Sequence, residues 1–200
     1  GLLSSRASDV VANCSAQLVE GEVPQESTMV DAKGNTIAWL YSQRRFEVPS
    51  EKIADTMKLA IVSIEDKRFA EHNGVDLPGT LTGLAGYLQG DESTRGGSTI
   101  EQQYIKNYNF LVSARTDAER RAAIASTPVR KLREMRMALE LNKALTKPEI
   151  LTRYLNLVSF GNGAFGVQDA AKTYFGVDAR QLNWQQAALL AGLVQSTSTL

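Results

Sequence analysis

The chain has 200 residues, 43% hydrophobic and 22% charged, with 22 basic and 22 acidic side chains and therefore no formal net charge. That balance suits a globular domain with one sizeable core and disfavours a general nucleic-acid binder, which carries a basic excess. The lone cysteine, Cys14, excludes an intrachain disulfide framework, and no stretch reaches the roughly 18 apolar residues of a membrane span, the longest apolar run being Ala187–Val194.

Residues 1–22 are polar with a loose helical pattern at Leu2, Val10 and Leu18. Thr28–Val30 and Thr36–Leu40 are short strand-like runs around a Gly/Asn turn at 31–35, which predicts a hairpin. Pro49-Ser50 opens a helix with Ser50 as N-cap. Ile53, Met57, Ile61 and Ile64 give it an apolar stripe at helical spacing, and Gly74 stops it. Capping-box spacing marks three further starts, at Ser98/Glu101, Thr146/Glu149 and Asn183/Gln186. Pro128 and Pro148 fall near helix starts, where a missing N–H costs least. The stretches 83–97 and 115–125 read as mobile loops, and the whole as a mainly α protein.

Four segments carry candidate chemistry. In Glu65–Gly74, continuous helix would place Glu65, Phe69 and the chain's one histidine, His72, on one face at i, i+4 and i+7. A carboxylate at the end of a buried helix beside an aromatic ring is poorly solvated. Its pKa rises, which suits a general base or a general acid near neutral pH. The plainer alternative is a solvated helix end. In Arg95–Asn107, two glycines precede a helix capped by Ser98 or Thr99, whose free first-turn N–H groups would favour an anion. Gln102, Gln103 and Lys106 add amides and an ammonium on one face, a set suited to a phosphate or pyrophosphate and sugar hydroxyls, with Glu101 opposing it. In Arg130–Glu134, Leu132, Met135 and Leu139 mark a buried stripe. Arg130 and Glu134 form either a surface pair of about 0.3–0.5 kcal/mol or a second carboxylate in a cationic cluster able to neutralise a leaving phosphate. In the fourth segment Ile150, Leu151, Tyr154, Leu155 and Val158 are core, and Asn156 reads as a buried amide pinning backbone. The Ala187–Leu193 helix is packing.

These pieces resemble the peptidoglycan glycosyltransferase domain (glycosyltransferase family 51) of class A penicillin-binding proteins, with five motifs in order over roughly residues 45–200. E-D-x-x-F-x-x-H-x-G is complete at Glu65, Asp66, Phe69, His72 and Gly74. G-G-S-T-[IL]-T-Q-Q-x-x-K stands at Gly96–Lys106 with Glu101 in place of the usual Thr, and R-K-x-x-E is complete at Arg130, Lys131 and Glu134. In the fourth motif Thr152 replaces the usual Glu and Val158-Ser159 stands where Tyr is common; in the fifth, Val194 stands where Pro is usual.

The resemblance implies a lysozyme-like, two-lobed, mainly α glycosyltransferase domain over 49–200, preceded by a linker and hairpin segment over 1–48. The smaller lobe, near 77–125, would touch the membrane through Leu77, Leu81, Leu84, Tyr104, Tyr108, Phe110 and Leu111. It implies polymerisation of lipid II into glycan strands with inversion and release of undecaprenyl pyrophosphate. Glu65 would be the base; Lys106, Arg130 and Lys131 would stabilise the leaving group; Asp66, Phe69 and His72 would shape the base's surroundings; Thr99, Gln103 and Asn107 would bind phosphate or sugar. Glu134 would orient the cations, hold a divalent cation (Mg2+ or Mn2+), or assist departure. The partners expected are lipid II, the growing glycan and the membrane surface, with no nucleic acid. The expected location is the extracytoplasmic face of the bacterial plasma membrane, held there by an anchor outside this chain. No Ser-x-x-Lys occurs, so any transpeptidase domain lies elsewhere in a parent protein. A glycan-cleaving enzyme of the same fold class would need no phosphate site, and a non-catalytic scaffold would need neither glutamate.

Overall fold

The protein is described here by a computed structural model covering residues 27–30, 36–40, 45–80, 97–125 and 127–198, the two strands by backbone alone. The helical pattern at 1–22, the turn at 31–35, Leu81, Leu84 and the loop 83–96 lie outside the described residues. The chain divides into two compact units, one built on residues 65–151 and the other on 22–64 and 152–200.

In the second unit, β1 (Ser27–Val30) pairs antiparallel with β2 (Thr36–Leu40), in the register Ser27 with Leu40 and Met29 with Ala38. Pro49-Ser50 opens a single 3-10 turn, Ser50–Lys52, rather than the predicted helix. Helix α1 starts later and runs Asp55–Glu65. Its stripe at Ile53, Met57 and Ile61 is buried, but Ile64 is exposed. The Asn156 amide holds Val48 from both sides: Val48 N–H donates to Oδ1 at 3.1 Å, and Nδ2 donates to Val48 O at 2.9 Å. Ile53, Met57, Ile61, Tyr154, Leu155, Val158 and Phe160 are among the residues that fill this unit's core. So are residues from α6 (Val167–Phe175) and α7 (Trp184–Ser198): Val167, Ala170, Ala171, Ala187, Leu190 and Ala191 are buried, while Leu189 on α7 is exposed.

The first unit contains α2 (Ile100–Tyr108), a π-helical turn Asn109–Ser113, α3 (Asp117–Ile124), α4 (Pro128–Ala144) and the first turns of α5 (Lys147–Leu157). Two expectations fail here. The segment 115–125 is not a plain loop: Thr116 caps α3 through a reciprocal box with Glu119, the same spacing that marks the other helix starts. The stripe of α4 is also rotated. Leu132 and Leu139 are exposed, and Glu134, Met137, Ala138 and Leu141 face inward. An apolar count cannot find a face that carries a buried carboxylate. Tyr104 and Tyr108, expected among the membrane contacts, are core, whereas Leu77 is exposed.

Candidate active site

Helix α1 ends at Glu65, not at Gly74. Beyond it the backbone folds into turns, with Phe69 N–H on Asp66 O and Glu71 N–H on Arg68 O. Glu65, Phe69 and His72 therefore do not share a helix face. The reason is Asp66, whose Oδ2 accepts the N–H of Ile100, the first residue of α2, at 3.0 Å and lies 2.9 Å from His72 Nε2. Gly74 N–H donates to His72 Nδ1 at 3.2 Å, which assigns the ring proton to Nε2 and aims it at Asp66. A helix continuing through this segment could not place the carboxylate there. Gly74 has φ +95°, and a Cβ on it would stand 2.4 Å from Ala138 O in α4. Only glycine fits this close approach.

The anion site expected at the start of α2 is closed from within. Ile100 N–H is held by Asp66, and Thr99 Oγ1 accepts from Gln102 N–H in a capping box while donating to Gly74 O at 2.7 Å. Thr99 is buried, so its hydroxyl joins the glycine turn to the helix. Asn107 Nδ2 donates back to Gln103 O at 2.8 Å. The positive pole of α2 thus faces a protein carboxylate.

What the structure gathers near Glu65 is side-chain charge. Glu65 Oε2 accepts from Gln103 Nε2 at 2.7 Å, and Oε1 is buried with no hydrogen-bond partner among the described residues. Burial pushes the Glu65 pKa up; the Gln103 hydrogen bond and Lys106 pull it back, and Asp66 adds to the rise. Glu134 is almost fully buried and bonded to Arg130 Nη1, which also reaches Ala125 O through Nε. Burial raises its pKa as well, against the pull of Arg130, Lys131 and Lys106. Burial lowers the pKa of Lys106 and of Lys131, and Glu134 opposes both shifts. Lys131 Nζ donates to Ser98 Oγ at 2.5 Å. Beside Glu134 a cavity of about 390 Å³ opens, lined by Tyr108, Asn109, Glu119, Arg130 and Arg133 among others, a volume in the range of small-ligand sites. Sequence reasoning missed Ser98 as the partner of Lys131 and missed the wall contributed by α3. The Thr116/Glu119 spacing was the available signal for that helix.

Asp66, His72 and Glu101 each offer a donor within 4.8 Å of the others, a spacing compatible with a divalent cation. Several of these donors are engaged, Asp66 by His72 and Ile100 and Glu101 Oε1 by Lys147 Nζ at 2.6 Å, while Glu101 Oε2 has no hydrogen-bond partner among the described residues. The Glu134 carboxylate is likewise bonded to Arg130 among further cations. The triad of Asp66, His72 and Glu101 is compatible with a divalent cation, which would take Asp66 and His72 out of their mutual hydrogen bond.

A family model described as Transglycosylase matches residues 33–200. The chain belongs to that family, the peptidoglycan glycosyltransferases of class A penicillin-binding proteins. It is 38% identical over 183 residues to penicillin-binding protein 1A of Clostridium perfringens, covering 88% of this chain and 25% of that protein. The identity is 39% over 170 residues to penicillin-binding protein 1A of Streptococcus pneumoniae, covering 85% and 22%. It is 34% over 192 residues to penicillin-binding protein 1A of Escherichia coli, covering 90% and 21%. The chain spans a quarter or less of the length of these relatives.

Proposed function

We propose that this chain polymerises lipid II into glycan strands with inversion at the anomeric carbon, and that Glu65 is the general base. The observation that carries the reading is the pairing, within one compact unit, of a half-buried carboxylate, one oxygen of which has no hydrogen-bond partner among the described residues, with a cluster of Lys106, Arg130 and Lys131 around Glu134. Glu65 Oε1 takes the proton of the acceptor 4-hydroxyl as that oxygen bonds to the donor's anomeric carbon. The bond from that carbon to the pyrophosphate breaks, and its electron pair leaves with undecaprenyl pyrophosphate. One base on the attacking side and charge neutralisation on the leaving side are what an inverting displacement requires. Lys106, Arg130 and Lys131 supply the neutralisation, and Glu134 holds them in place and keeps the two lysines protonated. Gln103 aims Glu65; Asp66, Phe69 and His72 hold the turn that follows it. Thr99 and Asn107 act through backbone that they bind. No step is routed through a metal.

The reading extends to a lysozyme-like, two-lobed domain over 49–200 behind the 1–48 linker and hairpin segment. It would work at the membrane surface on the extracytoplasmic face of a bacterial cell, in a parent protein that carries the anchor and a transpeptidase domain. No described helix is long and apolar enough to cross a membrane. The cationic cluster favours this reading over glycan cleavage, which has no phosphate to neutralise.

Gel-resolved polymerisation of lipid II, comparing the chain with Glu65→Gln at matched thermal stability, tests it. Strands from the parent and none from the variant support the reading; equal yields overturn it.

A further inference from the structure

Glu101 is the one acidic residue in the first turn of α2, and it is wholly buried. Its Oε1 accepts from Lys147 Nζ at 2.6 Å, and its Oε2 has no hydrogen-bond partner among the described residues. It stands where the family motif usually carries Thr, so a buried charge has entered a place that ordinarily holds none. Burying a carboxylate is costly without a close partner, and this one also lies within 4.8 Å of the Asp66–His72 pair. Lys147, at the first position of α5, does more than neutralise it: its ammonium sits 4.5 Å from the centre of the Phe69 ring, within cation–π range. The Phe69 ring stands edge-on to His72, with centroids 6.3 Å apart and planes at 75°.

These contacts close a circuit. Ile100 N–H bonds Asp66, Asp66 bonds His72, His72 abuts Phe69, Phe69 carries Lys147, and Lys147 bonds Glu101 on the same helix turn as Ile100. The circuit encloses the turn that begins one residue after Glu65. Two residues beyond Glu101, the same helix places Gln103 on Glu65. We propose that Glu101 and Lys147 are positioning residues: Lys147 neutralises the Glu101 carboxylate, so that the 66–72 turn keeps its seat against α2 and the Glu65 carboxylate its direction. The inference rests on the reading of Glu65 as the base. It predicts that Glu101 is not tolerated without Lys147, whereas both can be removed together, because the unpaired Glu101 carboxylate beside Asp66 would repel the turn from its seat.

The test is steady-state lipid II polymerisation by the chain and by Lys147→Met, Glu101→Gln and the double variant, with thermal stability measured on each. Lys147→Met is expected to lower kcat at least ten-fold with KM changed less than three-fold, since the base is misdirected while the substrate contacts remain. The double variant is expected to recover kcat to within three-fold of the parent, which loss of fold alone would not produce. Unchanged kcat in folded Lys147→Met overturns the proposal, as does a double variant no better than the single one. Should Lys147→Met fail to fold, Glu101→Gln against the double variant decides by the same criterion: equal kcat values near the parent's support the charge-pair account, and a double variant below Glu101→Gln by ten-fold overturns it. Glu65→Gln, assayed alongside, separates the two readings: full activity there removes the base itself, whereas loss there with unaffected Lys147→Met removes only the positioning pair.

Discussion

Gln103 Nε2 reaches Glu65 Oε2 at 2.7 Å, and this contact leaves the carboxylate's two oxygens unequal, one bonded and one buried without a hydrogen-bond partner among the described residues. The bonded oxygen sets the direction of the group, and the other is the atom able to take a proton. Replacement of Glu65 by Gln keeps the shape but supplies no base. The expected outcome is a fall in kcat of roughly 100- to 10,000-fold, the usual worth of a positioned general base, with the fold retained. Single-turnover strand formation together with a melting curve checks both halves.

The same burial has a pH signature. Glu65 and Glu134 have folded pKa values above the ordinary 4.5, so in the window just above 4.5 the folded chain binds more protons than the unfolded one. Stability contributed by these groups therefore falls as pH rises through that window. Glu65→Gln should raise Tm above the window and leave it nearly unchanged below pH 4.5. The acid limb of the kcat/KM profile should also lie above 4.5, because the base must be ionised. A limb at or below the ordinary value would remove Glu65 from that role.

Glu134 counters the downward shift that burial imposes on Lys106 and Lys131. In Glu134→Gln both ammonium groups lose that support and deprotonate at lower pH. The basic limb of the activity profile should move down, and a limb in its parental place would show that the lysines do not depend on Glu134.

Gly74→Ala would combine a left-handed backbone angle with a methyl group 2.4 Å from Ala138 O. Strain at such a position is on the order of 1–3 kcal/mol before the clash is counted. A loss of about 2 kcal/mol lowers Tm by roughly 4–8 °C in a chain of this size. Activity should fall with it, since Gly74 also supplies the acceptor for Thr99 and the donor for His72. Differential scanning of the variant gives the shift directly.

Asn156→Ala removes both hydrogen bonds that hold Val48. At about 0.5–1.5 kcal/mol each, the loss is about 1–3 kcal/mol, read as a lower denaturant midpoint. Residual folded protein should keep its kcat, because neither residue lies near Glu65 in sequence or in the same compact unit.

How far the sequence could be read depended on the kind of side chain that faces inward. Ile150, Leu151, Tyr154, Leu155 and Val158 repeat at helical spacing and are all buried, because their only tendency is to leave water. In α4 the inward face includes Glu134, whose burial depends on Arg130, and a hydrophobic pattern therefore selected Leu132 and Leu139 instead. The helix end at Glu65 was hidden for a related reason. It depends on the Asp66 carboxylate reaching Ile100, 34 residues away, and local periodicity carries no record of so distant a bond. Lys147 carries no local signal of its role, since its partner Glu101 stands 46 positions earlier.

The closing of the α2 terminus by Asp66 bears on how such a site could be inhibited. A compound that imitates pyrophosphate would find no open row of backbone N–H groups at Ile100 and Gln102, and its anionic group would have to seek side chains. Those side chains are Lys106, Arg130 and Lys131, the cations gathered around Glu134. The affinity of such a mimic would then follow the charge of these three side chains, and weaken in Arg130→Met, with no contribution from the helix terminus.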